Sequence, residues 1–541
     1  MSPAEHGKTA SSWLGAVLDV SRKTGILDPR WMYSIVQASR KHGTGLVTGF
    51  AAAASRHPHQ VALIDERSQF TYKQVYERSL SIAHGLRDLG IHEGDQVGIL
   101  IRNHAGFVEA MNAVAALGVN ACLLNTGFAG PQLRTVVERE NISAIIFDDE
   151  FEEAVATAPS SCSRILAWHE GQAGEASLSA LAQHYSPRAL PRPKRPGVAT
   201  ILTSGTTGTP KGARRSSSSS DAQSAIGVLE KLPLRVGQKA LVSAPLFHSW
   251  GFTQLIMGSL LGHCFVLQRR FDPEKTLTAL DQHSAELFAV VPVMLQRILS
   301  LDSNILDRFE TSSLIGTLSS GSALPGELAL RWMDRFGDNL YNFYGSTEAA
   351  QTSIATPSDL REAPGTAGQI PRGTTVRILD DKGQPVPRGE VGRIFVGNGN
   401  QFDEYTGGGR KEMADGLMSI GDLGWFDEKG RLFVGGRDDD MIVSGGENVF
   451  PREVEDLLSD RPDIHEAAVI GVPDPEFGQR LRGFVVMKAG ESFDEEEMKS
   501  FVRERLARHK VPREIIHASE LPRNQTGKVL KRVLRDWAPP E

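Results

Sequence analysis

The stretch that most constrains the fold is Thr203-Ser-Gly-Thr-Thr-Gly-Thr-Pro-Lys-Gly212, which directly follows the apolar run Val198–Leu202. The apolar run predicts a strand that leads into a tight turn. Glycines let the backbone turn and expose its N–H groups, while the hydroxyls and Lys211 add further donors and a positive charge. Such a concave set of donors suits a polyphosphate. The stretch is not a Walker A loop, because no serine or threonine follows the lysine.

Strands and helices alternate ahead of this loop. Apolar runs predict strands, helical spacing of apolar residues predicts helices between them, and one helix is expected to open at Phe70-Thr71. The predicted strands are Val61–Ile64, Gln96–Ile101, Asn120–Leu124 and Ser143–Phe147, and the predicted helices include Ala105–Leu117 and Gln132–Glu140. This alternation indicates βαβ units, a parallel sheet and an α/β fold.

The chain divides into three predicted parts. Residues 1–50 form an N-terminal extension, and residues 51–437 form a large domain with a β-rich subdomain at about 365–436, where short strands and turns replace the helices. Residues 438–541 form a small α+β C-terminal domain that begins after a polar break at Asp438–Asp440. The proline-rich, basic segment 186–196 is predicted to be a linker. The five serines at 216–220 bury no apolar area.

Composition excludes several classes of protein. A chain of 541 residues is too long for one core, and a net charge of −7 gives no footprint for nucleic acid. Three widely spaced cysteines, Cys122, Cys162 and Cys264, predict small buried residues in a reducing compartment, hence a cytoplasmic protein. No stretch is apolar enough for a membrane span. The basic and apolar residues between Val20 and Ala53 fit either a helix packed on the main body or an interfacial helix in weak peripheral contact with a membrane.

Four more segments, together with the loop, make the chain resemble the adenylate-forming enzymes, which include acyl-CoA synthetases, luciferases and nonribosomal adenylation domains. They occur in the order that this family shows: Asn342–Glu348, Ser419–Gly424, Gly435–Val449 and Leu521–Leu530. The resemblance implies binding of ATP, Mg²⁺ and coenzyme A. It assigns the binding of these cofactors to Thr203, Ser204, Gly205, Thr206, Thr207, Gly208, Lys211, Tyr344, Gly345, Ser346, Asp422, Arg437, Gly445 and Gly446, the last two on the route of CoA.

The chemistry of some of these residues supports the assignment. A tyrosine ring offers adenine a stacking face, and an ionised aspartate can accept from both ribose hydroxyls. Thr347 can donate to a phosphate, and Glu348 is a hard ligand for Mg²⁺; outside this context the glutamate would be read as a solvated surface residue. By the resemblance, Lys528 bridges the substrate carboxylate and the α-phosphate, although by composition alone it is one charge of a basic terminal helix.

The resemblance also assigns an acyl site and a hinge. His248, in Ala244–Gly251, borders the acyl pocket, with the alternative of a satisfied core histidine, and Gly321 lies in the wall between the adenine and acyl sites. Asp439 aligns with the hinge about which the last domain rotates, and Ser444–Glu447 resembles the turn along the route of CoA. Because Gly321 and Gly345 carry no side chains, we expect an open pocket that favours medium or long fatty acids, while a bulky aryl acid stays an alternative.

The expected reaction is therefore the conversion of a carboxylic acid, ATP and CoA into acyl-CoA, AMP and pyrophosphate. Within the same fold, a fatty acyl-AMP ligase that loads a carrier protein, a luciferase and an aryl-acid CoA ligase are alternatives. From a different class, the chain could be a non-enzymatic nucleotide- or acyl-binding homologue. The joint presence of Lys211, Glu348, Asp422, Arg437 and Lys528 argues for an enzyme.

Overall fold

The computed structural model describes most of the chain. The described residues are 15–26, 28–43, 45–171, 176–203, 211–214, 222–399, 404–405, 411–444, 447–475, 478–525 and 527–537. Four β-sheets organise these residues. Two belong to the α/β part, a third is the predicted β-rich subdomain, and the fourth is the sheet of the C-terminal domain. The predicted α/β fold with parallel sheets is confirmed.

The first sheet has eight strands, parallel in its middle and closed by one antiparallel strand at each edge. In spatial order the strands are Ala350–Ala355, Leu340–Ser346, Gly316–Ser319, Leu287–Val290, Lys239–Val242, Cys264–Leu267, Val61–Ile64 and Gln69–Thr71. The second sheet has seven strands, in the order Glu404–Tyr405, Lys211–Arg214, Ala199–Thr203, Asn120–Leu123, Gln96–Leu100, Ala144–Asp148 and Ser163–Trp168. Its last five strands are parallel, as the alternation of strands and helices predicts.

Helices cover these sheets, and one large apolar cluster unites both sheets with the helices between them. The helices are residues 15–24, Pro29–His42, Leu46–Arg56, Tyr72–Asp88, Ala105–Leu117, Gly130–Arg139, Glu152–Ala156, Leu178–His184, Ala222–Lys231, Ser249–Leu260, Pro273–Gln282, Pro292–Leu299, Ser303–Leu306, Gly326–Phe336 and Pro357–Glu362. None of the helices in the described ranges is long and apolar enough to cross a membrane. The three cysteines are buried and free, as expected.

The helix expected to open at Phe70-Thr71 begins at Tyr72 instead. Phe70 belongs to the edge strand Gln69–Thr71. The side chain of Thr71 accepts a hydrogen bond from the backbone N–H of Gln74, and the Gln74 side chain accepts from the N–H of Thr71. This reciprocal capping box satisfies two donors that a helix start leaves open, and it fixes the first helical residue.

The N-terminal helices pack on the large domain. Trp31 is only 2 % exposed and joins the main apolar cluster. Its indole N–H donates to the backbone oxygen of Leu260 over 3.0 Å, and its ring lies against Gly262, where a Cβ would approach it to 3.2 Å. The opposite side of this segment carries the exposed residues Met32 and Tyr33. Of the two expected arrangements, packing on the main body is therefore the one that Trp31 adopts.

The last two sheets are mainly antiparallel. The β-rich subdomain contains Thr374–Leu379, Gly392–Asn398, Leu417–Phe426, Met413–Ala414 and Leu432–Arg437. The C-terminal sheet contains Glu447–Val449, Ile442–Ser444, Gly478–Met487, Ile464–Asp474 and Glu514–His517, with the helices Pro451–Ser459, Glu495–Arg505 and Lys531–Arg535 around it. Its apolar clusters contain no residue before Ile442. This part therefore has a core of its own and meets the large domain through surface contacts.

Candidate active site

The predicted phosphate loop is held at both ends by a hairpin of the second sheet. Thr203 ends the parallel strand Ala199–Thr203 and pairs with Lys211, the first residue of the antiparallel strand Lys211–Arg214. The loop therefore leaves the carboxyl end of a parallel strand, the edge at which ligands bind in open α/β sheets. Ser204, Gly205, Thr206, Thr207 and Gly208 lie outside the described residues, as do the side chains of Thr203 and Lys211. Their roles stay predictions.

Three of the predicted nucleotide residues meet. The hydroxyl of Tyr344, in the strand Leu340–Ser346 of the first sheet, donates a hydrogen bond to Oδ2 of Asp422. Nη1 of Arg437 lies 3.7 Å from Oδ1 of the same carboxylate, since Asp422 and Arg437 are cross-strand partners in the β-rich subdomain. Gly421 has a φ of +77°, and an added Cβ there would come within 3.3 Å of the Arg437 guanidinium. The glycine thus gives the arginine room beside the carboxylate.

Burial and charge oppose each other in this group. Burial raises the pKa of Asp422, whereas the Tyr344 hydroxyl and the charges of Arg437 and Lys528 act to lower it. Burial, reinforced by the Asp422 charge, raises the pKa of Tyr344 well above its usual value. Tyr344 is therefore a neutral donor over the whole physiological range. The arrangement offers a nucleotide one carboxylate, a guanidinium and an aromatic ring.

Two of the motif segments also touch each other. The hydroxyl of Thr347 lies 3.4 Å from that of Ser249, and the rings of Trp250 and Phe343 are 5.1 Å apart. The segments around His248 and Glu348 therefore meet at the carboxyl edge of the first sheet. Sequence reasoning places both segments in one site, and this contact brings them together.

Asn103 positions the segment that carries His248. Its amide nitrogen donates to the backbone oxygens of Val242 and Ala244, at 3.1 and 2.9 Å, and its side-chain oxygen accepts from the N–H of Leu246 at 2.9 Å. The His248 ring then packs on Phe247, with ring centroids 4.4 Å apart. Burial lowers the pKa of His248 to about 4, so the ring is neutral near pH 7. Its Nε2 is buried and has no hydrogen-bond partner among the described residues.

The two glycines of the predicted acyl site have a structural explanation. A Cβ on Gly345 would lie 1.8 Å from the backbone oxygen of Ala350, at a register shift between two antiparallel strands. Gly321 has a φ of +91°, and its Cβ would lie 3.3 Å from Val291. Both positions therefore require glycine for the backbone. The absence of side chains at positions 345 and 321 therefore says nothing about the size of the acyl pocket. The expectation of an open tunnel for a fatty acid was based on these two glycines, and it loses that basis.

The turn that carries Lys528 is docked on the large domain. Val293 belongs to the helix Pro292–Leu299 of the large domain. A Cβ on Gly527, whose φ is +78°, would lie 2.3 Å from Cγ1 of Val293, so only glycine fits between the turn and this helix. The side chain of Gln525 approaches Gly127 in the same way. The turn is closed by Asn524, whose side-chain oxygen accepts from the N–H of Lys528 over 2.9 Å. The charge of Lys528 lies close enough to act on Asp422, as its effect on that pKa indicates.

Other predicted positions are described only in part. The backbone of Asp439 lies in the 3-10 turn Asp438–Asp440, which connects the β-rich subdomain to the C-terminal sheet. The Asp439 side chain lies outside the described part of the chain, as do Gly445 and Gly446. The side chain of Ser346 accepts from the N–H of Ala349 at 3.0 Å and so closes the turn that contains Glu348.

The comparisons with known families agree with this geometry. The sequence model of the AMP-binding enzyme matches residues 50–406, and that of the AMP-binding enzyme C-terminal domain matches residues 453–528. The chain belongs to the AMP-binding enzyme family. The resemblance to adenylate-forming enzymes is thereby confirmed.

Relatives of this AMP-binding enzyme cover nearly the whole chain. A feruloyl-CoA synthase from Amycolatopsis sp is 33 % identical over 89 % of this chain and 96 % of its own length. An indoleacetate–CoA ligase from Aromatoleum aromaticum is 31 % identical over the same shares. The crystal structure of the anthranilate CoA ligase AuaEII with anthranoyl-AMP superposes with a TM-score of 0.83, at 24 % identity, over 91 % of this chain and 97 % of that chain. At that identity the last similarity concerns the fold.

Glu348 is the candidate magnesium ligand of this AMP-binding enzyme. In the ranges that the structure describes, no group of three or more histidine, cysteine or acidic residues could hold a metal. Glu348 lies half-buried at the end of the Tyr344 segment. Mg²⁺ is commonly held by one or two carboxylates together with substrate phosphates, and Glu348 can provide such a carboxylate.

Sequence reasoning missed Asn103 and Arg452. Asn103 follows the parallel strand Gln96–Leu100, a position where polar residues often serve a site, and that signal was available. Arg452, in the C-terminal domain, donates a hydrogen bond to the backbone oxygen of Val434 in the large domain. Local sequence does not encode such a contact between domains, and nothing in the sequence distinguishes Arg452 from the other arginines.

Proposed function

We propose that this AMP-binding enzyme activates an aromatic or aryl-alkanoic acid for transfer to CoA. The enzyme is an AMP-forming acid–thiol ligase that uses ATP, Mg²⁺ and CoA. The proposal concerns the class of acid, and it is based on the substrates in the names of the relatives. They are a feruloyl-CoA synthase and an indoleacetate–CoA ligase, aligned over 89 % of this chain.

In the proposed first step, a carboxylate oxygen attacks the α-phosphorus, and the bond to pyrophosphate breaks. Charge gathers on the phosphate oxygens, so positioning and fixed positive groups provide the catalysis. Asp422 and Arg437 would hold the ribose, Tyr344 would stack on the adenine, and Lys528 would bring the two anions together. Mg²⁺ would neutralise phosphate charge beside Glu348.

In the proposed second step, the sulfur of CoA attacks the acyl carbon, its proton is lost to solvent, and AMP leaves. Lys528 is needed only where two anions must approach, so it can withdraw before the thiol enters. The separate core of the C-terminal domain and the polar turn Asp438–Asp440 are suited to such a rotation. Asp439 is our proposed pivot.

Aromatic side chains around His248 suit a flat substrate. Trp250 and Phe343 form one ring pair and Phe247 and His248 another, on segments that meet beside Thr347. Offset and tilted ring contacts add about 0.5–1.5 kcal/mol beyond simple burial. An alkyl chain gains no such term.

Two buried hydroxyls suit a substrate with polar substituents. The Oγ atoms of Ser243 and Ser319 are buried without hydrogen-bond partners among the described residues, and both stand at the carboxyl ends of first-sheet strands. A buried unpaired hydroxyl costs about 1–3 kcal/mol. A hydroxyl, methoxy or amide group on the acid could pair with them, whereas a plain alkyl chain could not.

The proposal is tested by measuring AMP formation with ferulate, indoleacetate, benzoate, octanoate and palmitate, each with and without CoA. We expect kcat/KM for ferulate or indoleacetate to exceed that for octanoate by about tenfold or more, which corresponds to roughly 1.4 kcal/mol of selective binding. AMP release should depend on CoA. A preference for octanoate or palmitate would contradict the aromatic assignment, and acyl-AMP formation without any thioester would favour a carrier-loading ligase.

A further inference from the structure

Arg452 belongs to the C-terminal domain, but its guanidinium contacts the large domain. Nη1 donates to the backbone oxygen of Val434 over 3.1 Å, and Nη2 donates to that of Leu324 over 3.2 Å. The side chain is 17 % exposed, and Nε lies 3.4 Å from Oδ2 of Asp456 one turn further along its helix. The planar fork of an arginine reaches two separate carbonyl groups through two different nitrogens, whereas a lysine must serve both from a single ammonium.

Both carbonyl groups lie in segments that carry candidate site residues. Val434 is in the strand Leu432–Arg437, which ends at Arg437. Leu324 follows the loop that contains Gly321 and is itself buried, at 2 % exposure. The charge of Arg452 is also close enough to act on Tyr344, against the larger effect of burial. Arg452 therefore joins the C-terminal domain to two walls of the site.

The helix that carries Arg452 is also tied to the segment of Lys528. Within Pro451–Ser459, Oε1 of Glu455 lies 2.8 Å from Nζ of Lys531 and accepts the N–H of Val469 over 2.8 Å. Lys531 is three residues after Lys528. A continuous set of contacts thus runs from Leu324 and Val434 through this helix to the turn of Lys528.

We propose that Arg452 is a positioning residue that locks the C-terminal domain against the large domain with Lys528 in the adenylation site. The inference deepens the proposed function and depends on its two-step reaction. The two hydrogen bonds join backbone atoms of the large domain to a side chain of the C-terminal domain, so any rotation between the domains breaks them. They stabilise one arrangement only and therefore assist the first step and not the second.

The kinetic test compares Arg452→Met, Arg452→Lys and the control Arg505→Met. Arg505 is an exposed arginine of the same domain, and the contacts of its guanidinium with Phe501 and Glu504 stay within its own helix. Methionine keeps the length and the apolar stem of arginine without its donors. Pyrophosphate release with ferulate and ATP measures the first step, and thioester formation from supplied feruloyl-AMP and CoA measures the second.

We expect Arg452→Met to slow pyrophosphate release by roughly ten- to hundredfold, as the loss of charge-assisted hydrogen bonds implies. Thioester formation should stay within about twofold of the wild type, Arg452→Lys should recover part of the first step, and Arg505→Met should change neither. Equal losses in both steps would mean that Arg452 only supports folding, and unchanged pyrophosphate release would overturn the proposal.

A second measurement does not require the correct acid. Cleavage of the wild type and of Arg452→Met by a non-specific protease is followed by mass spectrometry at the turn Asp438–Asp440. We expect faster cleavage at this turn in the variant, because the closed arrangement is less populated. Equal cleavage rates would overturn the proposal even where every acid tested is inactive, and inactivity of the wild type with all acids would instead count against the proposed function.

Discussion

Replacing Tyr344 with phenylalanine removes one hydroxyl and keeps the ring. That hydroxyl donates to Oδ2 of Asp422, a half-buried carboxylate whose other oxygen faces Arg437 at 3.7 Å. A hydrogen bond to a charged group contributes about 1.5–3 kcal/mol. If Asp422 holds the ribose only when ionised and correctly oriented, we expect the KM for ATP to rise by roughly ten- to hundredfold.

The pH dependence gives a sharper criterion. Burial already raises the pKa of Asp422, and the Tyr344 hydroxyl is the strongest of the groups that oppose this rise. Without it the pKa of Asp422 must rise further, because the charged form loses a donor. Protonation removes the carboxylate that binds ATP, so the loss of affinity at low pH should begin at a higher pH in the variant than in the wild type.

Pyrophosphate exchange, measured between about pH 5 and pH 8, reports this shift through kcat/KM for ATP. Tyr341→Phe is a matched control, since Tyr341 lies in the same strand, is half-buried, and its hydroxyl forms no hydrogen bond recorded among the described residues. If Tyr344→Phe shows the same KM and the same acid limb as Tyr341→Phe, the hydroxyl does not tune Asp422 and the reasoning fails.

Three further outcomes follow from the same structure. Lys528→Ala should lower pyrophosphate release by about a hundredfold or more while thioester formation from supplied acyl-AMP survives; equal losses would remove Lys528 from the first step. Gly345→Ala should destabilise the large domain by about 3 kcal/mol because its Cβ would lie 1.8 Å from the oxygen of Ala350, whereas Gly45→Ala, with nothing within 4 Å, should cost far less in urea denaturation. Burial lowers the pKa of His263 to about 4, whereas in the unfolded chain the value is about 6.5. The folded state therefore gains about 3 kcal/mol of stability above pH 6.5, where the histidine is neutral in both states. This gain is lost as the pH falls towards 4, because the buried ring resists protonation. His263→Gln should show a correspondingly smaller loss of stability between neutral and acidic pH, and an unchanged loss would contradict the shift.

Local sequence predicted the parallel sheets well because their signals are local. The strand Gln96–Leu100 is buried at every position and contains Val97, Ile99 and Leu100, and the helix Ala105–Leu117 follows it with the expected bounds. The pattern of apolar residues predicts a helix start at Phe70, two residues early, since that pattern extends across the edge strand and only the capping box of Thr71 fixes the start.

The site was predictable in its residues and not in its contacts. Tyr344 and Asp422 could each be assigned from a motif, but their hydrogen bond joins strands of two different sheets, 78 residues apart in sequence. The size of the acyl pocket could not be inferred from Gly345, because the sequence does not reveal that a neighbouring carbonyl occupies the space of its Cβ. In a sequence, a glycine required by a close backbone contact cannot be distinguished from a glycine that leaves a pocket open.

The burial of Trp31 determines where this protein can be truncated or fused to another chain. The family model begins at residue 50, yet the Trp31 ring covers Gly262 and its indole satisfies the carbonyl of Leu260. Loss of a buried tryptophan costs about 3–5 kcal/mol, a large part of the stability of an ordinary domain. A chimaera or a shortened gene designed on the family boundary would thus uncover the turn at Leu260 and Gly262, and the junction belongs ahead of Pro29.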